Sequence, residues 1–158
     1  MRHAIVALIA ALAAGCVGSS DPTPIDLPVA PMSAITVATA ANTFQGSVPT
    51  SIIAKVPRCG AAGVGVLAET ADAGVTAVFA RWPDEGAVFD LSLPGADDNV
   101  VVSSQLGRTT YCSDNAATAS SGTVQVLRFE QVGSRFLIDV VLTGVVAGAT
   151  TIDAHLYH

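Results

Sequence analysis

The stretch S-R-F-L-I-D-V-V-L-T, Ser134 to Thr143, decides the fold class. Phe136, Ile138, Val140 and Leu142 alternate with Arg135, Leu137, Asp139, Val141 and Thr143. A period of two sends successive side chains to opposite faces of a strand, so one row enters a core and a mixed row faces outward. Before it, Gly122 to Gln131 runs into the turn Val132-Gly133-Ser134, and the two segments read as a hairpin. After it, Ala147-Gly148-Ala149 turns into Thr150 to Tyr157, with Ile152, Ala154 and Leu156 on one face.

The same texture extends upstream. Gly74 to Trp82 and Ala87 to Leu93 flank Pro83-Asp84-Glu85-Gly86. Proline presets φ and glycine supplies a positive φ, so a second hairpin is predicted there. Phe89, Leu91 and Leu93 are expected to face inward, and Val88, Asp90 and Ser92 outward. Further strands are predicted at Ile35 to Phe44, Thr50 to Val56, Val64 to Glu69, Val100 to Gln105 and Arg108 to Cys112. Ser113 to Ser121 reads as a loop. About ten short strands without long helical patterns predict an all-β domain over residues 32–158, an antiparallel sandwich or a partly closed barrel.

Ahead of this domain, residues 17–31 hold four prolines, Gly18-Ser19-Ser20 and two aspartates. No apolar period survives, so the segment reads as a flexible linker with an end-to-end distance of about 20 Å, longer where proline stiffens it. Further forward, Arg2 and His3 precede the apolar run Ala4 to Ala14. A basic end, a short apolar run and small residues at a cut form a secretory signal, residues 1–15. The run is too short to span a bilayer as a helix, which takes about 20 apolar residues.

Leu12-Ala13-Ala14-Gly15-Cys16 resembles the lipobox of bacterial lipoproteins, with Ala13 where that pattern usually has leucine. The resemblance implies diacylglyceryl transfer to the Cys16 thiol and cleavage before it by signal peptidase II. Cys16 and the linker, residues 16–31, then tether the domain to a membrane. An ordinary secretory signal with Cys16 left as a free thiol is the alternative. Val17 lacks the aspartate that retains such proteins at the inner membrane, so in a Gram-negative cell the resemblance implies the outer membrane. The texture of the whole chain is similar to that of small envelope lipoproteins with a disulfide-closed β domain.

Three cysteines are an odd number for an exported chain. Lipidation of Cys16 leaves Cys59 and Cys112, which an oxidising compartment is expected to join. Closing a loop of about 54 residues stabilises by roughly 4 kcal/mol in the chain-entropy picture. Two free thiols are the alternative.

The chain carries 13 acidic against 7 basic residues, a formal net charge of −6. That balance disfavours nucleic acid, whose binding leans on Lys and Arg at phosphates. With one Trp, two Tyr and five Phe, a stacking platform for bases or sugars has little to draw on.

Catalytic motifs are poor. Trp82-Pro83-Asp84 resembles the WPD loop of tyrosine phosphatases, yet position 65, where a phosphate-holding arginine would follow Cys59, is glycine. Asp153, His155 and His158 offer zinc donors, but Asp153 and His155 share a strand face that His158 does not. Asp97, Asp98 and Asn99 offer calcium oxygens without EF-hand spacing, and such residues also favour turns. A Ser-His-Asp triad would have to draw on the last four residues. No residue is therefore assigned as catalytic or metal-binding, and no cofactor is expected. The expectation is a membrane-tethered binding or scaffold module with an envelope protein as partner. A carrier of a small apolar ligand is the alternative, and a metal-dependent enzyme the third reading.

Overall fold

A computed structural model describes residues 30–53, 59–60, 62–114 and 119–158. The expected signal, Cys16 and nearly all of the linker lie outside these residues. Ten antiparallel strands form one curled sheet: β1 (Met32–Ala38), β2 (Thr43–Ile53), β3 (Val64–Glu69), β4 (Ala73–Phe79), β5 (Val88–Asp90), β6 (Val100–Leu106), β7 (Thr109–Cys112), β8 (Ser121–Val132), β9 (Arg135–Ala147) and β10 (Thr150–Tyr157). A 3-10 turn, Ala96–Asp98, precedes β6. The strand order is β5-β8-β9-β10-β1-β2-β3-β4-β6-β7.

β2 makes the curl. Thr43 to Pro49 pair with β1, and Thr50 to Ile53 pair with β3. One strand thus serves both halves and folds them face to face. The Thr50 hydroxyl lies 2.6 Å from that of Ser33, which accepts a hydrogen bond from Tyr157 N at 2.9 Å. Both hydroxyls are buried, and buried polar groups need such partners. Across the core, Ser104 on β6 lies 2.7 Å from Thr150 on β10. Thr150 donates its only proton to Ala147 O, so Ser104 is the donor to Thr150.

The core between the halves is apolar and continuous. Ile35, Val37, Val48, Val66, Val75, Phe79, Val100, Val102, Ile138, Leu142, Ile152 and Leu156 are all nearly inaccessible to solvent. Each such side chain contributes about 1.5–3 kcal/mol through burial. Phe79 packs edge-on against Phe129 with ring centroids 5.3 Å apart, linking β4 to β8. The β3, β4 and β6 strands are buried on both faces over most of their length, and every residue of β4 is buried. Close approach in this region depends on small residues: a Cβ on Gly65 would lie 2.5 Å from Ala77 O.

The alternating rows of β9 and β10 are as the sequence predicts. Ile138, Val140 and Leu142 are buried, and Phe136 packs on the core. On β10, Ile152, Ala154 and Leu156 are buried. Beyond Leu142 the inward row of β9 switches to Val145 and Ala147. The cause is a bulge. Ile152 pairs with Val145 but Ala154 with Leu142, so Thr143 and Gly144 of β9 stand opposite Asp153 alone, one extra residue. Gly144 has φ 56°, and Gly122 opposite has φ 91°.

Several strand expectations are corrected. Ile35 to Phe44 is not one strand. The chain reverses at Thr39–Asn42, where the Thr39 hydroxyl accepts from Asn42 N at 3.0 Å and Thr39 N donates to Asn42 O at 2.7 Å. The strand predicted at Thr50 is the second half of β2; residues 54–56 lie outside the described residues. β4 and β5 do not form a hairpin. Both edges of β4 are taken by β3 and β6, so the Pro83–Gly86 turn carries the chain to the far edge, where β5 pairs β8. Leu93 does not face inward but is largely exposed. The reason is that β5 ends at Asp90, whose carboxylate accepts from both the backbone N and the hydroxyl of Ser92 and turns the chain.

Two glycine substitutions separate backbone conformation from crowding. Gly122→Ala places a Cβ 2.4 Å from Gly144 O on top of a positive φ, so a loss of about 3 kcal/mol is expected. Gly133→Ala has φ 61° and open space, so about 1 kcal/mol is expected. Urea unfolding midpoints of the two variants check the difference.

Candidate functional site

On the outer face of β10, β1 and β2, short and polar side chains leave an open groove of about 510 Å³. Its floor follows from register. Ala34 on β1 stands opposite His155 on β10 and opposite Ser47 on β2, so a methyl group sits between two longer side chains. One residue pair along, Thr36 stands between Asp153 and Gln45. Directly opposed residues of antiparallel strands share a face, so these six side chains form two parallel rows. Thr143 completes the wall on β9.

His155 Nε2 lies 2.7 Å from Asp139 Oδ1, an ion pair when the imidazole is protonated. The pair is diagonal across β9 and β10, because Asp139 stands opposite Tyr157. Half of the His155 side chain is exposed, so any ion pair here contributes little to stability. The groove combines imidazole, carboxylate, amide and hydroxyl groups over a shallow floor. It can offer donors and acceptors to a polar ligand or to another protein surface.

Asp153 and His155 share this face, as expected, but they do not converge on one point. Asp153 Oδ1 accepts a hydrogen bond from Gly144 N at 2.8 Å. That N–H belongs to the β9 bulge and has left the ladder, so the carboxylate satisfies a displaced donor. His158 lies apart: its backbone pairs with Ile138 in both directions, and its Nδ1 is 3.4 Å from Phe136 O. The donors Asp153, His155 and His158 are thus spread over separate tasks.

Trp82-Pro83-Asp84 also has a structural task. Trp82 Nε1 donates to Phe129 O at 2.9 Å, and its ring meets Phe129 edge-on at 4.9 Å and Phe136 at 6.2 Å. Gly86 N donates to Val126 O, and Asp84 O accepts from Ala87 N. The segment lies along β8 where β5 no longer covers it, and covers part of an otherwise open strand edge. Cys59 is bonded to Cys112, with Cα atoms 5.6 Å apart, so it presents no thiolate. The pairing read from the cysteine count is the one present.

The acidic loop is separate from the groove. Asp98 lies in the 3-10 turn, and Asn99 Nδ2 donates to Gly95 O at 3.3 Å. The side chain of Asp97 lies outside what the structure describes. Nearby, hydrogen bonds from the Ser92 hydroxyl and backbone N–H hold the Asp90 carboxyl below the ordinary aspartate range. The groove itself escapes sequence reading, because its floor is one alanine and its rows are assembled from β1, β2 and β10. No family model, curated protein or solved structure matches this chain.

Two outcomes follow from these contacts. Asp153→Ala leaves Gly144 N–H without its acceptor and is expected to cost about 1 kcal/mol, while Asp153→Asn keeps an acceptor oxygen and costs less. Thermal or urea unfolding of both variants, with and without a chelator, distinguishes this role from a metal role. For Asp90, the favoured charged form contributes stability above its unfolded pKa, and that contribution fades as pH falls through the lower folded value. Ser92→Ala is expected to raise the Asp90 midpoint toward the ordinary range, read by carboxyl NMR titration.

Proposed function

We propose that the chain is an exported lipoprotein, tethered through Cys16 to a bacterial membrane, that presents its β domain as a binding or scaffold module of the cell envelope. The tether rests on the likeness of Leu12 to Cys16 to a lipobox and on the short apolar run before it. The outer membrane is the destination that Val17 favours. A disulfide between Cys59 and Cys112 agrees with an oxidising compartment.

The observation that carries the module reading is the groove over Ala34. It is an open depression, with an apolar floor and polar side chains along its rows, on the outside of a sheet whose inside is filled by apolar side chains. Recognition by a surface built on a rigid β frame needs no moving part and no reactive group. The carrier reading asks for an apolar space inside the core. The depressions in the groove and at the loops around Leu93 are instead open ones on the outside. The enzyme reading asks Asp97, Asp98, Asp153 and His155 to converge in one cleft; Asp98 lies in a loop apart from the groove that holds Asp153 and His155, and the Asp97 side chain is outside what the structure describes.

Crosslinking of the full-length protein in its own envelope, followed by capture and mass spectrometry, tests the proposal. Two variants serve as controls: Cys16→Ser removes the anchor, and Ala34→Arg fills the groove from outside the core. One dominant partner, lost in both variants, is the expected result. A partner retained by Ala34→Arg would move recognition off the groove. Fatty-acid labelling that persists in Cys16→Ser would overturn the anchor.

A further inference from the structure

The disulfide has a third donor beside it. Asp114 follows Cys112 by two residues, and a carboxylate oxygen of Asp114 and both sulfurs lie within 4.8 Å of one another. All three residues are half-buried. Asp114 also lines a cavity of about 260 Å³ between the loop after β5 and the loop after β7, together with Ser92, Ser113 and Ser120. This cavity lies where the two ends of the curled sheet approach without pairing. Two sulfurs and a carboxylate are a donor set suited to zinc, which takes thiolates at about 2.3 Å and carboxylate oxygens at about 2.0–2.2 Å. Donors on a tetrahedron of that radius stand roughly 3.7 Å apart, so the two sulfurs, bonded to each other in the oxidised protein, part to that spacing after reduction, while the Asp114 carboxylate already stands within reach of both. Of the three donors Asp114 is the one that borders this cavity, so a fourth donor, water or a ligand atom, would approach from the carboxylate side.

We propose that Cys59, Cys112 and Asp114 form a zinc site that the disulfide keeps closed and reduction opens. A dithiol reductant supplies two electrons and two protons to the S–S bond. The protein gains two thiols and the reductant becomes a cyclic disulfide. Zinc then displaces the two thiol protons, and Asp114 joins as a carboxylate ligand. The oxidised protein has no thiolate to offer and binds no zinc here. The reduced protein binds one ion, and that ion restores the crosslink between Cys59, which follows β2 in the chain, and the end of edge strand β7. Zinc affinity falls with pH, because protons compete for both sulfurs.

The test uses the full chain carrying Cys16→Ser, so that only the two paired cysteines remain. It is reduced with a phosphine, which water converts to the phosphine oxide as the S–S bond opens. Cobalt(II) is added as a coloured stand-in and then displaced with zinc. One equivalent of cobalt should give a thiolate-to-metal charge-transfer band and the visible bands of a tetrahedral site, both erased by zinc. The oxidised chain should give neither. Asp114→Asn should keep the sulfur band but weaken zinc binding at least tenfold, on the order of what lost support to a ligand costs. Absence of the sulfur band in the reduced chain overturns the proposal, whether or not that chain stays folded by circular dichroism. Unchanged affinity in Asp114→Asn overturns the carboxylate's part in it.

Discussion

A strand that changes partners halfway along its length governs this domain. β2 pairs with β1 up to Pro49 and with β3 from Thr50 onward. Because it is hydrogen-bonded to one half of the sheet and then to the other, the halves must fold toward each other. The curl is therefore a consequence of pairing, and the apolar rows meet because the backbone brings them there. Ser33 and Thr50 sit at this corner and satisfy each other in the interior. Removing Ser33 would take this partner from the buried Thr50 hydroxyl, at a cost of about 1–3 kcal/mol for a polar group left unpaired.

How much of this was legible depends on whether the cause was local. Val64 to Glu69, Val100 to Gln105 and the last three strands stand out in the sequence because alternation or apolar runs mark them. The turn between β1 and β2 does not, since Ala38-Thr39-Ala40-Ala41-Asn42 has neither glycine nor proline and keeps a strand-like texture. The partner of β5 is equally hidden. A turn such as Pro83–Gly86 proclaims a reversal, but whether the next strand returns to its predecessor depends on who already holds that edge. Here β6, still to come in the sequence, holds it.

The candidate site was half legible for the same reason. That Asp153 and His155 share a face follows from strand periodicity. Their tasks do not. Asp153 answers a bulge donor in β9, and His155 pairs with Asp139 on that same strand, one turn of the meander back. Neither partner is near in sequence, and the bulge itself depends on Gly122 in yet another strand. The cysteine pairing was readable because counting, unlike geometry, needs no fold.

The pairing of β1 with β10 has a consequence for how the domain is made. The first strand emerges from the ribosome at the start and must wait for the last, since Ala34 pairs with His155 and Ala38 with Thr151. β1, β2, β3, β4, β6 and β7 can pair with one another before the end of the chain arrives, but one edge of β1 stays open until β10 does, and loop closure over such a span slows folding. The topology that makes the finished sheet continuous therefore leaves the unfinished one with an unpaired strand edge at β1, open to wrong partners until the last strand fills it.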